Sequence, residues 1–98
     1  MAAFVQIIEF TTSKIDDVEA LAENLRAQRD TGTVRRGTLT ADRDRPNHFL
    51  NVVEFDSYEA AMENSNRPET SAFAAAMAAL CDGPPTFYNL DVMQTWPE

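Results

Sequence analysis

An α+β fold, built as one four-stranded antiparallel sheet with helices on one face, is what this sequence predicts. Three observations carry it. Segments read in the order strand, helix, strand, strand, helix pair, strand; the strand segments are rich in Val, Ile and Phe; and the helical segments place apolar residues on one stripe. With right-handed crossovers this order closes into the split βαβ, ferredoxin-like arrangement. At 98 residues a single domain spanning 1–98 is expected, with a core of its own.

Ala3 to Phe10 reads as the first strand, with Phe4, Gln6, Ile8 and Phe10 on one face and Val5, Ile7 and Glu9 on the other. Ser13 with Asp16 then suggests a capping box, and Ile15, Val18, Leu21, Ala22 and Leu25 form the buried stripe of the first helix. Asp16 and Asp17 at its start, and Arg26 and Arg29 at its end, complement the helix dipole. Asp30-Thr31-Gly32 stops it, Gly32 being suited to a left-handed cap. Thr33 to Ala41 is a weaker second strand, diluted by Arg35, Arg36, Thr38 and Thr40, and is expected at a sheet edge.

After the polar loop from Asp42 to Pro46, the third strand ends at Phe55 and runs straight into a helix. Asp56 with Glu59 is the expected cap there, and Tyr58, Ala61 and Met62 the inner stripe. Asn64 to Arg67 interrupts that helix, and Pro68 opens another whose stripe is Phe73, Ala76, Met77 and Leu80. Gly83-Pro84-Pro85 ends it, and Thr86 to Trp96 is read as the last strand.

Both alternating faces of the strands carry large apolar groups. Phe49, Asn51, Val53 and Phe55 point one way, and His48, Leu50, Val52 and Glu54 the other. Helices can cover only one side of such a sheet, so a homodimer with two sheets packed face to face is expected.

Charge narrows the partners. The net charge of -8, from 16 acidic and 8 basic residues, argues against nucleic acid and anionic membranes. One cysteine, Cys81, allows no intramolecular disulfide, and MAAFVQIIEF is not a signal peptide, so a soluble cytoplasmic protein is expected. No phosphate-binding glycine loop, metal-spaced histidine pair or recognisable Ser or Cys nucleophile is present, and no metal is expected.

The element order, the strand VQIIEF and the junction NVVEFDSYEAAMENSNRPETSAFAAAM resemble the dimeric α+β barrel proteins, in particular their antibiotic biosynthesis monooxygenase-like branch. The resemblance covers nearly the whole chain. That superfamily holds cofactor-free oxygenases, cyclases, haem-handling enzymes and proteins without known activity, so the likeness specifies fold better than chemistry. In the monooxygenase-like pattern a Trp usually ends the third strand and a His lies on the following helix. Phe55 and Asn64 stand at those positions here.

The resemblance implies a pocket inside each subunit, between sheet and helices, and no cofactor. Gln6, Asn51 and Asn89, near the middles of three strands, are candidates to orient a ligand by hydrogen bonding, or else pair with one another or with water. His48, the only histidine, is a candidate general base, or a solvated turn residue, and Asn51 is the second catalytic candidate. Glu9 and Glu54 are alternative bases or ion-pair partners of Arg35 and Arg36. Tyr58, Tyr88, Trp96, Met62, Phe73 and Met77 either line an aromatic ligand site or simply fill the core, and Asn64 and Arg67 sit where a helix interruption gates such a site. Two functions follow as expectations. One is a cofactor-independent monooxygenase or isomerase acting on an aromatic or polyketide-like molecule; the other is a non-catalytic ligand-binding or stress-associated dimer.

Overall fold

The computed structural model describes residues 3–27 and 32–97. Its order is β1 (Phe4–Thr11), α1 (Ile15–Ala27), β2 (Arg36–Ala41), β3 (His48–Phe55), α2 (Tyr58–Ser65), α3 (Pro68–Leu80) and β4 (Thr86–Asp91). The strands form one antiparallel sheet in the order β2-β3-β1-β4, the ferredoxin-like arrangement expected. Charged β2 is an edge strand, as its composition suggested.

Directly paired residues share a face of a sheet, so the register sorts every strand residue. Phe4 pairs with Phe55, Gln6 with Val53, Ile8 with Asn51 and Phe10 with Phe49. These point toward the helices. Phe4, Val53 and Phe55 form one buried cluster with Ala61 of α2, while Phe10 forms another with Val18 of α1 and Met77 of α3. Phe10 and Phe49 stack at 5.6 Å between ring centroids. Because the Phe rows lie at the two ends of the central strands, the middle of the helix-facing surface is left to Gln6, Ile8 and Asn51.

Both expected caps shift by one residue, for reasons set outside the helices. Thr12, not Ser13, holds the entry to α1: its hydroxyl is fully buried, donates to the Leu80 carbonyl at 2.6 Å and accepts from the Lys14 amide at 3.0 Å. One side chain thereby satisfies the end of α3 and the start of α1. Ser57, not Asp56, caps α2 by accepting from the Ala60 amide at 3.0 Å. Asp56 is occupied by Arg35 at 2.5 Å. Pro68 takes the first turn of α3 as expected.

Two strands are shorter than the sequence suggested. β2 begins at Arg36; before it, the Arg35 amide donates to the Glu54 carbonyl of β3 at 2.8 Å and Thr33 donates its hydroxyl to the Ala60 carbonyl of α2 at 2.5 Å. β4 ends at Asp91, opposite Phe4 where β1 begins, so Met93 and Trp96 lie beyond the ladder and are exposed. Gly32 adopts φ +59, the left-handed conformation expected of it, and a side chain there would meet those of Asn64 and Arg67. Gly32 is thus seated against the α2–α3 junction. Asp30, Thr31 and Arg29, and the side chains of Leu25 and Arg26, lie outside the described residues.

Candidate functional site

Between the helix layer and the sheet lies a cavity of about 840 Å³. Its floor is two transverse rows of the sheet. The register gives Gly37, Val53, Gln6 and Asn89 as one row and Leu39, Asn51, Ile8 and Phe87 as the next. Its walls come from Val18 and Ala22 of α1, Met62, Asn64 and Ser65 of α2, and Phe73 and Met77 of α3, with Arg67 and Glu69 at the α2–α3 junction. Apolar groups dominate, and three amides cross the floor obliquely.

Those amides are ordered by the sheet itself. Gln6 Nε2 donates to Asn89 Oδ1 at 3.0 Å across the β1–β4 pair. That bond leaves the carbonyl oxygen of Gln6 as acceptor and the amide hydrogens of Asn89 as donors for a third group. Asn51 lies diagonally across from Gln6, within reach of long side chains. The pairing of Gln6 with Asn89 that the sequence left open is therefore real, and it sits on the helix side of the sheet. At the junction, Arg67 Nη2 stands 3.5 Å from Glu69 Oε2.

Of the sequence candidates, Gln6, Asn51, Met62, Asn64, Arg67, Phe73, Met77 and Asn89 all border this one cavity. His48 and Tyr58 do not. Tyr58 is 53% exposed and packs edge-on against Phe4, 5.5 Å between centroids. His48 points to the opposite face of β3 from Asn51, being three residues away along a strand of period two. Periodicity in the sequence did not single out Gly37, Leu39 or Phe87 as floor residues; only the pairing register does so.

On that opposite face His48 Nε2 donates to Glu9 Oε2 at 2.7 Å, and the Tyr88 hydroxyl donates to Glu9 Oε1 at 2.9 Å. Glu9 therefore pairs with His48 and Tyr88, not with an arginine, whereas Glu54 does lie near Arg36 at 3.9 Å. The hydrogen bond from His48, then that from Tyr88, hold the Glu9 carboxyl below its ordinary value, against a smaller opposing effect of desolvation. The same bond pushes the Tyr88 phenol up. A depressed carboxyl contributes stability above its unfolded-state value, about 4.3, and loses it as the pH falls through the folded-state value. Glu9→Gln is accordingly expected to lower stability near neutral pH, with the difference from the parent shrinking progressively as the pH falls below the unfolded-state value of about 4.3 and through the lower folded-state value. Urea titrations across pH 3 to 7 check this; a difference that is constant with pH would contradict it.

Reactive chemistry elsewhere is limited. Burial, then the charge of Asp82, pushes the Cys81 thiol up, the wrong direction for a nucleophile. Among the described residues no cluster of His, Cys, Asp and Glu has metal-binding geometry, and no helix is long and apolar enough to cross a membrane. An open depression of about 740 Å³ lies between α1 and α3, lined by Asp17, Leu21, Asn24, Ala76 and Leu80, and includes no sheet residue.

The four-stranded antiparallel sheet with its helices matches the antibiotic biosynthesis monooxygenase-like structures, and the chain shares their fold. Over the full length of both chains it superposes on SnoaB, a cofactor-independent oxygenase from Streptomyces nogalater, with a TM-score of 0.80 at 23% identity. A mutant of SnoaB gives 0.82 at 22%. Rv0793 from Mycobacterium tuberculosis is similar at a TM-score of 0.77 and 16% identity, over 98% of this chain and 100% of that one. No protein-family model and no curated protein matches the sequence.

Proposed function

We propose that the protein is a cytoplasmic homodimer that binds an aromatic or polyketide-like molecule in the helix-covered cavity of each subunit and oxygenates it without a cofactor. The observation that carries this reading is the trio of amides, Gln6, Asn51 and Asn89, on the floor of an otherwise apolar cavity. Apolar walls with a few convergent polar groups suit a flat phenol or enol, whose oxygens the amides would bond and orient. SnoaB, with which the fold is shared, is a cofactor-independent oxygenase.

In such a reaction the substrate supplies every electron. An acidic methylene beside a phenol or ketone loses a proton, and the resulting enolate carbon gives electrons to dioxygen. One oxygen atom ends as a new carbonyl on that carbon and the other as water, so that CH2 and O2 become C=O and H2O. Asn51 would act here as a hydrogen-bond donor to the enolate oxygen, favouring the ionised form. The Gln6–Asn89 pair would hold a neighbouring oxygen. His48 has no part in this scheme, because its ring is on the far side of the sheet, engaged with Glu9.

Oxygen-electrode measurements with a phenolic substrate carrying an acidic methylene test the proposal. Oxygen uptake is expected without added flavin or metal, and Asn51→Ala should slow it by about 100-fold while leaving the circular dichroism spectrum unchanged. Ligand binding without oxygen uptake would replace the reading with that of a non-catalytic binding protein. Equal rates in the parent and the variant would remove Asn51 from the chemistry.

A further inference from the structure

One floor position carries no side chain. Gly37 pairs with Val53, which pairs with Gln6, which pairs with Asn89, so residue 37 ends the row that holds the Gln6–Asn89 amide pair. It borders the cavity on the helix side of the edge strand β2. A glycine inside a strand weakens it and usually marks a bulge, a left-handed residue or a close backbone approach. None of these holds at Gly37. It is paired within the regular β2–β3 ladder, it is not among the positive-φ residues, and a Cβ built on it meets nothing within 4 Å.

What the glycine supplies is therefore room. Every residue of β2 is exposed, including Leu39 in the neighbouring floor row at 39%, so the cavity meets solvent along this edge. The other edge strand, β4, is exposed as well, but there Phe87, 51% exposed, lays a large ring on the floor where Gly37 has none. From Asn89 to Gly37 the row crosses three inter-strand spacings, about 14 Å, which is longer than one aromatic ring needs.

We infer that Gly37 sets the length of ligand the cavity accepts: a planar molecule of several fused rings, its oxygens at Gln6, Asn51 and Asn89 and its far end lying over Gly37 at the β2 edge. This rests on the cavity being a ligand site, as proposed above, and adds to it a specificity-determining residue. A β-branched side chain at 37 projects from the floor into that end of the cavity. It leaves the amides untouched.

The test compares two probes that share a phenol beside a carbonyl but differ in length: 2-hydroxyacetophenone, with one ring, and 1-hydroxyanthraquinone, with three. Binding is read by fluorescence quenching or calorimetry with the parent, Gly37→Ala and Gly37→Val. Gly37→Val should weaken the three-ring probe by about tenfold or more and the one-ring probe by less than about twofold, with Gly37→Ala intermediate. Thermal unfolding should show Gly37→Val at least as stable as the parent, since a β-branched residue suits a strand. If the parent binds both probes and Gly37→Val treats them alike, the length assignment is overturned while the cavity reading stands. If the parent binds neither probe, both are overturned.

Discussion

Phe55→Ala is expected to remove about 3–5 kcal/mol of stability. The side chain is 1% exposed and sits at the end of β3, between Phe4 across the sheet, at 6.5 Å between centroids, and Ala61 of α2. Val34, Ala60 and Met62 close in around the same cluster. These neighbours belong to three separate segments, β1, α2 and the stretch before β2, which cannot collapse together into the space left by a ring, so both the lost transfer energy and the cavity contribute. For a domain whose total stability is about 5–15 kcal/mol the loss is a large fraction, and at about 4–8 °C per kcal/mol it lowers Tm by tens of degrees. Thermal and urea unfolding followed by circular dichroism measure it. A loss below about 1 kcal/mol would contradict the packing described. Phe55→Trp tests the same site in the other direction: the larger ring must displace members of a closed cluster, at a cost of about 1–3 kcal/mol.

Ile7→Asp is expected to abolish the proposed dimer. Ile7 lies at the centre of β1 on the face without helices, paired with Val52 of β3 and Tyr88 of β4. Val5, Leu50 and Val52 share that face half-buried, and Tyr88 and Leu90 are exposed on it. A contiguous apolar surface of this kind, in the middle of a sheet, is one that a second copy would cover sheet to sheet. An aspartate there would be buried in each copy without a partner charge, at several kcal/mol per carboxylate. The corresponding loss of association is about a thousandfold or more. Light scattering behind gel filtration at micromolar concentration should give twice the chain mass for the parent and the chain mass for Ile7→Asp. Equal masses for the two would reject this face as the interface.

Strand and helix identities were legible in the sequence because each rests on local pattern: period two with Val, Ile and Phe, or an apolar helical stripe opened by Pro68 or ended by Gly83-Pro84-Pro85. The caps were not, because neighbouring residues offer the same oxygen and tertiary partners choose between them. Arg35 takes Asp56, leaving Ser57 for α2, and the Leu80 carbonyl draws in Thr12. The division of the candidate site was half legible. Alternation already set His48 and Asn51 on opposite faces of β3, but with large apolar groups on both faces it did not say which one the helices cover. The buried rings of Phe4, Phe10 and Phe55 decide that, and they carry Asn51, Gln6 and Asn89 with them into the cavity. Gly37 was invisible for a simpler reason: a missing side chain leaves no periodic signal, and its meaning depends on the residue paired with it.

In the function proposed above the two faces of the sheet do different work, the helix side holding a ligand against its three amides and the open side holding a second subunit. An NMR titration with 1-hydroxyanthraquinone tests it most directly. The side-chain amide signals of Gln6, Asn51 and Asn89 should move and saturate together, while the methyl signals of Val52 and Leu90 stay where they are. Stationary amides with moving Val52 and Leu90 methyls would contradict it.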